Sequence, residues 1–152
     1  MKKTLQILGG LLLAILVAVA VGVGYLFYVG PRLDASSKAY VDQNLEVILN
    51  GWSEQALWER ASPEFRKVVT QDQLNTLFKK FAGTLGNLQK YEGSSGEANL
   101  AFLIDKGRVI TARYTAKTTF ENGEAAINVG LIEHEGRWQV LSFYVNAPLV
   151  LK

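Results

Sequence analysis

The distribution of apolar and charged positions divides the chain into an uncharged N-terminal run and a mixed remainder. Residues 7–29 form a run of 23 positions without a charge. A helix rises 1.5 Å per residue, so the run would be about 34 Å long, enough to cross a bilayer core of about 30 Å. Tyr25 and Tyr28 lie near its far end, where amphipathic rings favour the headgroup level. The pattern predicts a transmembrane helix over residues 7–29.

The charges that flank this run predict its orientation. Lys2 and Lys3 precede the run, whereas Arg32 follows it and is soon joined by acidic residues. The positive-inside rule then places residues 1–6 in the cytoplasm and the chain after Gly30 on the other side. We expect a single-pass protein of a bacterial inner (cytoplasmic) membrane, with its C-terminal domain in the periplasm or outside the cell.

A cleaved signal peptide is the alternative to a retained anchor. "MKKTLQ" is a good basic start, and "AVA" at residues 18–20 has the form of a cleavage site. Cleavage there would leave "VGVGYLFYV" as an exposed apolar N-terminus, and the run exceeds the usual apolar region of about 7–15 residues. These two points favour the retained anchor.

Small residues recur at every fourth position within the run. They are Gly10, Ala14, Ala18 and Gly22, which share one face of a helix. Lipid tails are as apolar as leucine, so close backbone approach across small residues drives helix association in a membrane. The stripe therefore predicts a docking face for a second copy or for another transmembrane subunit. Composition is the alternative, because glycine and alanine are common in membrane helices.

An apolar stripe at helical spacing follows the N-terminal run. Its members are Val41, Leu45, Ile48 and Trp52. Steps of three and four residues predict a helix over about residues 37–51. Ser36 or Ser37 is a suitable cap at its start, and Gly51 at its end.

Three more helix starts come next along the chain. Ser53 is a candidate cap for a short helix. "SPEFRKVV" places Ser62 at a cap and Pro63 at the first helical position. "TQDQ" predicts a capping box between Thr70 and Gln73.

The second half of the chain alternates in the manner of strands. Its turns are "GSSG", "DKG", "ENG" and "HEG". Helices that precede short-turn strands predict an α+β fold, in which about three helices cover one face of a curved four- to five-stranded antiparallel sheet. This domain is expected over residues 37–148, after a linker at 30–36 and before a tail at 149–152. The predicted strands cover residues 87–93, 98–105, 108–120, 124–133 and 138–146.

Charge and cysteine content exclude several kinds of protein. The chain has 16 Lys and Arg against 14 Asp and Glu, and without Lys2 and Lys3 the balance is 14 against 14. A nucleic-acid binder would show a clustered basic excess. Without any cysteine, disulfides, thiolate catalysis and cysteine-ligated zinc are excluded, so the domain depends on its core.

The order of helices and strands resembles the nuclear transport factor 2-like (cystatin-like) cone fold. "GWSEQALWERASPEFRKVVTQDQLNTLFKKFAGTLGNLQ" is similar to the helical half of membrane-anchored bacterial domains of unknown function in that superfamily. "FENGEAAINVGLIEHEGRWQVLSFYVN" is similar to their last hairpin. The resemblance covers about residues 35–148 and implies the cone fold. It leaves the function open, since the superfamily holds isomerases, dehydratases, ligand binders, transport factors and assembly subunits.

Enzymes of that superfamily usually place an aspartate or a histidine inside the cone, and we find no match for either. His134 lies in the predicted "HEG" turn, between Glu133 and Glu135, and consecutive strand residues alternate rather than converge on a metal. We therefore expect a solvated histidine, no metal site, no cofactor and no catalytic residues. The candidate lining of a cone pocket is Tyr114, Trp138, Ser142 and Tyr144.

These observations favour a non-catalytic, membrane-anchored accessory or assembly subunit. Its expected partners are the lipid bilayer and either other transmembrane subunits or a second copy, and not nucleic acid. The alternative is a cone domain in the periplasm, tethered to the membrane, that either binds a small apolar ligand or acts on it as an enzyme.

Overall fold

The structure is a computed structural model that describes residues 2–148, with side chains from residue 9 onward. The chain divides into two compact units, Met1–Leu33 and Asp34–Lys152. The predicted tail at 149–152 lies outside the described residues, as does Met1.

Helix α1 covers Lys2–Leu49 and supplies all of the described first unit. From Gly9 onward it is long and apolar enough to cross a membrane, and no part of its most apolar stretch is buried. Near the end of this unit, the guanidinium carbon of Arg32 lies 4.1 Å from the centre of the Tyr28 ring. The structure therefore contains an uncovered apolar helix of the kind that the sequence predicts.

Three shorter helices follow in the second unit: α2 (Glu54–Arg60), α3 (Pro63–Val68) and α4 (Gln71–Leu85). Their predicted caps are confirmed. Ser53 accepts from the amide of Ala56, and Ser62 accepts from the amide of Phe65. The predicted capping box at the start of α4 is present with both of its hydrogen bonds.

The predicted start of the first helix of the domain, at Ser36 or Ser37, is wrong. Residues 30–36, predicted as a linker, belong to α1, and Ser36 and Ser37 lie inside the helix rather than at a cap. Ser37 is fully buried, and its hydroxyl is used in contacts with the rest of the second unit. The predicted end is nearly right, because α1 ends at Leu49 and Gly51 adopts a φ of 75° in the turn that follows.

The second half forms a four-stranded antiparallel sheet in the order β1-β2-β3-β4. Its strands are β1 (Leu88–Leu103), β2 (Gly107–Phe120), β3 (Gly123–His134) and β4 (Arg137–Asn146). The fold class is therefore α+β, with one open sheet.

The predicted break at "GSSG" is wrong. Residues 87–93 and 98–105 were expected as two strands, but β1 continues through this segment. Its register against β2 shifts between Tyr91 and Ser94, and Gly93 has a φ of 94°. Glycine tolerates that backbone, so the segment forms an irregularity within a strand rather than a turn between two.

The helices cover one face of this sheet. The alternation predicted for β2 is confirmed, because every second residue from Ile110 to Phe120 is buried. The four apolar positions of the predicted stripe are all buried as well. Trp52 lies just after α1, and its ring stacks on Phe120 with 5.0 Å between centroids. The core thus lies between the second part of α1, α2–α4 and one sheet face.

Candidate functional site

The small-residue stripe lies on an uncovered helix. All four of its residues, Gly10, Ala14, Ala18 and Gly22, are exposed. A Cβ added at Gly10 or Gly22 would meet nothing within 4 Å. The leucines and valines beside the stripe are also exposed, so every face of this segment is open to lipid or to another helix.

Tyr114, the first candidate for a pocket lining, ties the sheet to α1. Its side chain is 3 % exposed. Its hydroxyl shares a hydrogen bond of 2.8 Å with Ser37 Oγ and donates one of 3.0 Å to the carbonyl oxygen of Asp34. A phenol with both contacts inside the fold has a structural use.

Trp138 is also turned toward α1. Its indole Nε1 donates a hydrogen bond of 3.0 Å to Ser36 Oγ, and its ring packs against the core. Two of the four candidate residues, Tyr114 and Trp138, therefore form hydrogen bonds with Ser37 and Ser36 of α1. The sequence signal for this arrangement is the pair of adjacent serines, whose composition predicts a helix cap instead.

Ser142 and Tyr144 lie on the opposite, open face of the sheet. They border a depression of about 510 Å³ whose lining also includes Arg113, Asn128 and Gly130. A Cβ at Gly130 would overlap the hydroxyl of Ser142 on the neighbouring strand. Because glycine has no side chain, the Ser142 side chain fits beside it. Tyr114 also borders this depression, but its side chain is buried on the helix-covered face. The side chains of the four predicted residues are therefore divided into two pairs on different faces of the sheet.

The depression is lined by polar side chains, among them the phenol of Tyr144. Thr115 donates a hydrogen bond of 2.7 Å to Asn128 Oδ1 across its floor, and Arg113 supplies a positive charge. Neither a carboxylate nor an imidazole is among its lining residues.

A polar cluster that sequence reasoning missed surrounds Asp42 on α1. Asp42 Oδ1 accepts from Tyr91 Oη at 2.7 Å, from Ser94 Oγ at 2.6 Å and from the Ser94 amide at 3.1 Å. Lys38, one turn earlier, donates to Oδ2. Together these contacts fasten α1 to the irregular part of β1.

The titration of this cluster reflects its hydrogen bonds. Partial burial acts to raise the pKa of Asp42, but hydrogen bonds from Lys38, Ser94 and Tyr91 outweigh it and hold the pKa below its usual value. Burial, together with the bond donated to Asp42, raises the pKa of Tyr91. Both groups therefore stay in their ordinary charge states at neutral pH, as structural groups do.

His134 lies at the predicted hairpin tip, as the last residue of β3 directly before the turn, and its side chain is 40 % exposed. The sequence did not predict its contact with α3, where its Nε2 lies 3.0 Å from Glu64 Oε1. Partial burial acts to raise the pKa of Glu64, but its own backbone amide, His134 and Ser62 together lower it.

Metal ligation finds no support in the part of the chain that the structure describes. No group of three or more histidine, aspartate or glutamate side chains there is close enough to hold an ion. Glu133 and Glu135 flank His134 in sequence without joining its contact with Glu64.

Comparisons of the chain with protein-family models, with curated proteins and with solved structures return no match. The resemblance to the nuclear transport factor 2-like superfamily stays a prediction from sequence. The functional conclusion therefore depends on the residues and their geometry.

Proposed function

We propose that the chain is a membrane-anchored accessory or assembly subunit. In this proposal the apolar part of α1 is a permanent single-pass anchor in a bacterial inner membrane, with its N-terminus in the cytoplasm. The second unit then lies on the periplasmic or extracellular side and, without catalysing a reaction, contacts other membrane proteins.

The uncovered apolar helix is the observation that carries the proposal. Leu11, Leu12 and Leu13 are each more than half exposed, and consecutive helix residues lie about 100° apart, so they point to different sides of the segment. Apolar surface of this extent is unfavourable in water and ordinary in lipid. Lys2 and Lys3 at one end support the orientation.

The contacts of the second unit favour an interaction role over a ligand-binding cone. Tyr114 and Trp138 use their polar atoms on α1, and the adjacent interior is filled by the ring cluster of Trp52, Phe78 and Phe120. A small-molecule site requires concave space with polar groups that converge on a ligand.

Mild-detergent extraction of the full-length protein tests the anchor and the partners together. We expect the mature chain to begin at or near Met1, to resist extraction by alkaline carbonate, and to elute with other membrane subunits or as a multimer. A chain that begins at Val21 and washes off with salt would contradict the anchor. A lone monomer carrying an extractable ligand would favour the cone alternative.

The partner face of the helix has its own matched control. Ala14→Leu and Ala18→Leu add bulk to the small-residue stripe, whereas Ala20→Leu adds the same bulk on the opposite face. We expect the first two variants to weaken assembly in detergent and Ala20→Leu to leave it intact. Equal assembly in all three would remove the stripe from the proposal and leave the anchor.

A further inference from the structure

The β1–β2 hairpin has three consecutive apolar residues at its tip. Phe102 is 70 % exposed, Leu103 is 44 % exposed and Ile104 is fully exposed. Single exposed apolar side chains are ordinary, whereas a run of three needs a functional reason. The other large exposed apolar side chains described in the second unit are scattered singly: Val47, Val68, Leu77 and Tyr144.

The tip projects beyond the four-stranded part of the sheet. The β2–β3 pairs end at Thr111 opposite Ile132, whereas the β1–β2 pairs continue to Leu103 opposite Gly107. Four more residues of β2 are therefore paired with β1 alone, which corresponds to roughly 13 Å of two-stranded ribbon. A ribbon covered by no further strand leaves its tip free to meet another surface.

Two contacts with α1 give the direction of this ribbon. Ser94 bonds to Asp42, and further along β1 the amide of Ala98 donates to Asp34 Oδ1 at 2.7 Å. The strand thus runs toward Asp34, the residue with which the second unit begins. Ile104 comes six residues after Ala98, so the tip extends about 20 Å farther along this direction.

We propose that this tip inserts into the interface of the same bilayer that holds the anchor. The inference rests on the proposed anchor, since Asp34 follows the apolar run by only five residues, which rise about 8 Å along α1. The reach of the ribbon beyond Ala98 is longer than this. The turn holds both Asp105 and Lys106, and Arg108 follows on β2, so two cations stand against one anion next to the tip, as suits a surface of anionic headgroups.

The lipid interface fits the tip better than a protein groove does. Phe102 and Leu103 are consecutive strand residues and point to opposite faces of the ribbon, and Ile104 follows at its end. The tip is therefore apolar on both faces rather than along a single stripe. Interfacial segments bury such residues by about 5–10 Å, at the headgroup–acyl boundary. Two contacts with one membrane, the anchor and the tip, restrict the tumbling of the second unit at the surface.

Depth measurement with a single label tests the proposal, because the chain has no cysteine of its own. An environment-sensitive fluorophore is attached to Ile104→Cys in the full-length protein, reconstituted in phosphatidylcholine–phosphatidylglycerol vesicles. Glu124→Cys, exposed near the opposite end of the sheet, is the matched control, and Val17→Cys reports the anchor. Lys106→Cys gives a second position on the tip.

We expect the two tip labels to shift to the blue and to be quenched by lipids that carry a quencher near the headgroup, while the Glu124 label stays in water. A tip label as accessible to aqueous iodide as the Glu124 label, with the Val17 label quenched by lipid, would overturn the inference and leave the anchor. An unquenched Val17 label would contradict the anchor itself. A tip label shielded from iodide only at high protein density would indicate a second copy, and would overturn the inference.

Discussion

Tyr91 on β1 donates a hydrogen bond of 2.7 Å to Asp42 on α1, 49 residues earlier in the chain. Ser94 donates to the same oxygen from the other side of the strand irregularity. One carboxylate thus satisfies a phenol, a hydroxyl and an amide at the place where β1 loses its regular register. This contact and the Tyr114–Ser37 contact fasten the sheet to the helix on which it packs.

Removing the carboxylate should destabilise the second unit. Asp42→Ala leaves the Tyr91 hydroxyl and the Ser94 amide without their acceptor, and we expect it to lower the free energy of unfolding by about 1–3 kcal/mol. Urea unfolding of the full chain in detergent, followed by tryptophan fluorescence, measures this, since all three tryptophans lie beyond residue 50. Glu124→Ala, which removes an exposed carboxylate, is the control and should change the unfolding free energy little. Equal effects of the two variants would contradict the assigned contacts.

Stability should decline in acid, and Asp42 should contribute to the decline. A carboxyl group whose pKa is lowered by folding binds fewer protons in the folded state, so its contribution is complete above its unfolded pKa of about 4 and is lost as the pH falls through its folded pKa. Unfolding midpoints between about pH 6 and pH 3 should fall less steeply for Asp42→Asn than for the unaltered chain. Parallel curves would show that the carboxylate is not coupled to folding.

The hydroxyl of Tyr114 should contribute to the free energy of unfolding, whereas the hydroxyl of Tyr144 should not. Tyr114→Phe removes one buried and one partly buried hydrogen bond and should cost about 1–2 kcal/mol, whereas Tyr144→Phe changes a residue that is 67 % exposed and should be neutral. A double-mutant cycle with Ser37→Ala should give a coupling free energy clearly different from zero. Additive effects would place the two hydroxyls outside hydrogen-bond contact.

Two glycines should respond to alanine in opposite directions. A Cβ at Gly96 would overlap the carbonyl oxygen of Arg113 on the neighbouring strand, so Gly96→Ala should destabilise the β1–β2 pairing by about 1–3 kcal/mol. Gly83, inside α4, has open space around it, and Gly83→Ala should stabilise the helix by up to about 1 kcal/mol. Thermal unfolding of both variants checks the two signs, and a neutral Gly96→Ala would contradict the close approach.

Local signals in the sequence were sufficient for much of the fold. The caps at Ser53 and Ser62 and the capping box at Thr70 depend on hydrogen bonds within four residues, so their sequence patterns carry the whole arrangement. The alternation in β2 is equally local, because side chains on a strand point to opposite faces by geometry. The length of the uncharged run likewise predicted the uncovered helix.

The candidate site depended on tertiary structure. Ser37 looked like a cap because serine often caps a helix, and only the arrival of Tyr114 from β2 explains why it lies buried within one. Asp42 showed no signal, since its partners Tyr91 and Ser94 come from a segment with the composition of a turn. The partners in these contacts are 49 to 77 residues apart, and no local pattern specifies such a distance.

The sequence by itself determined the apolar segment, the caps and the inward-facing positions of β2, because each follows from the periodicity or chemistry of neighbouring residues. Tertiary structure decided that "GSSG" lies within β1, that Tyr114 and Ser142 face opposite sides of the sheet, and that the tip at Ile104 projects past the other strands. These outcomes depend on register and packing between distant segments, where the free energy is shared among many contacts and no short pattern carries it.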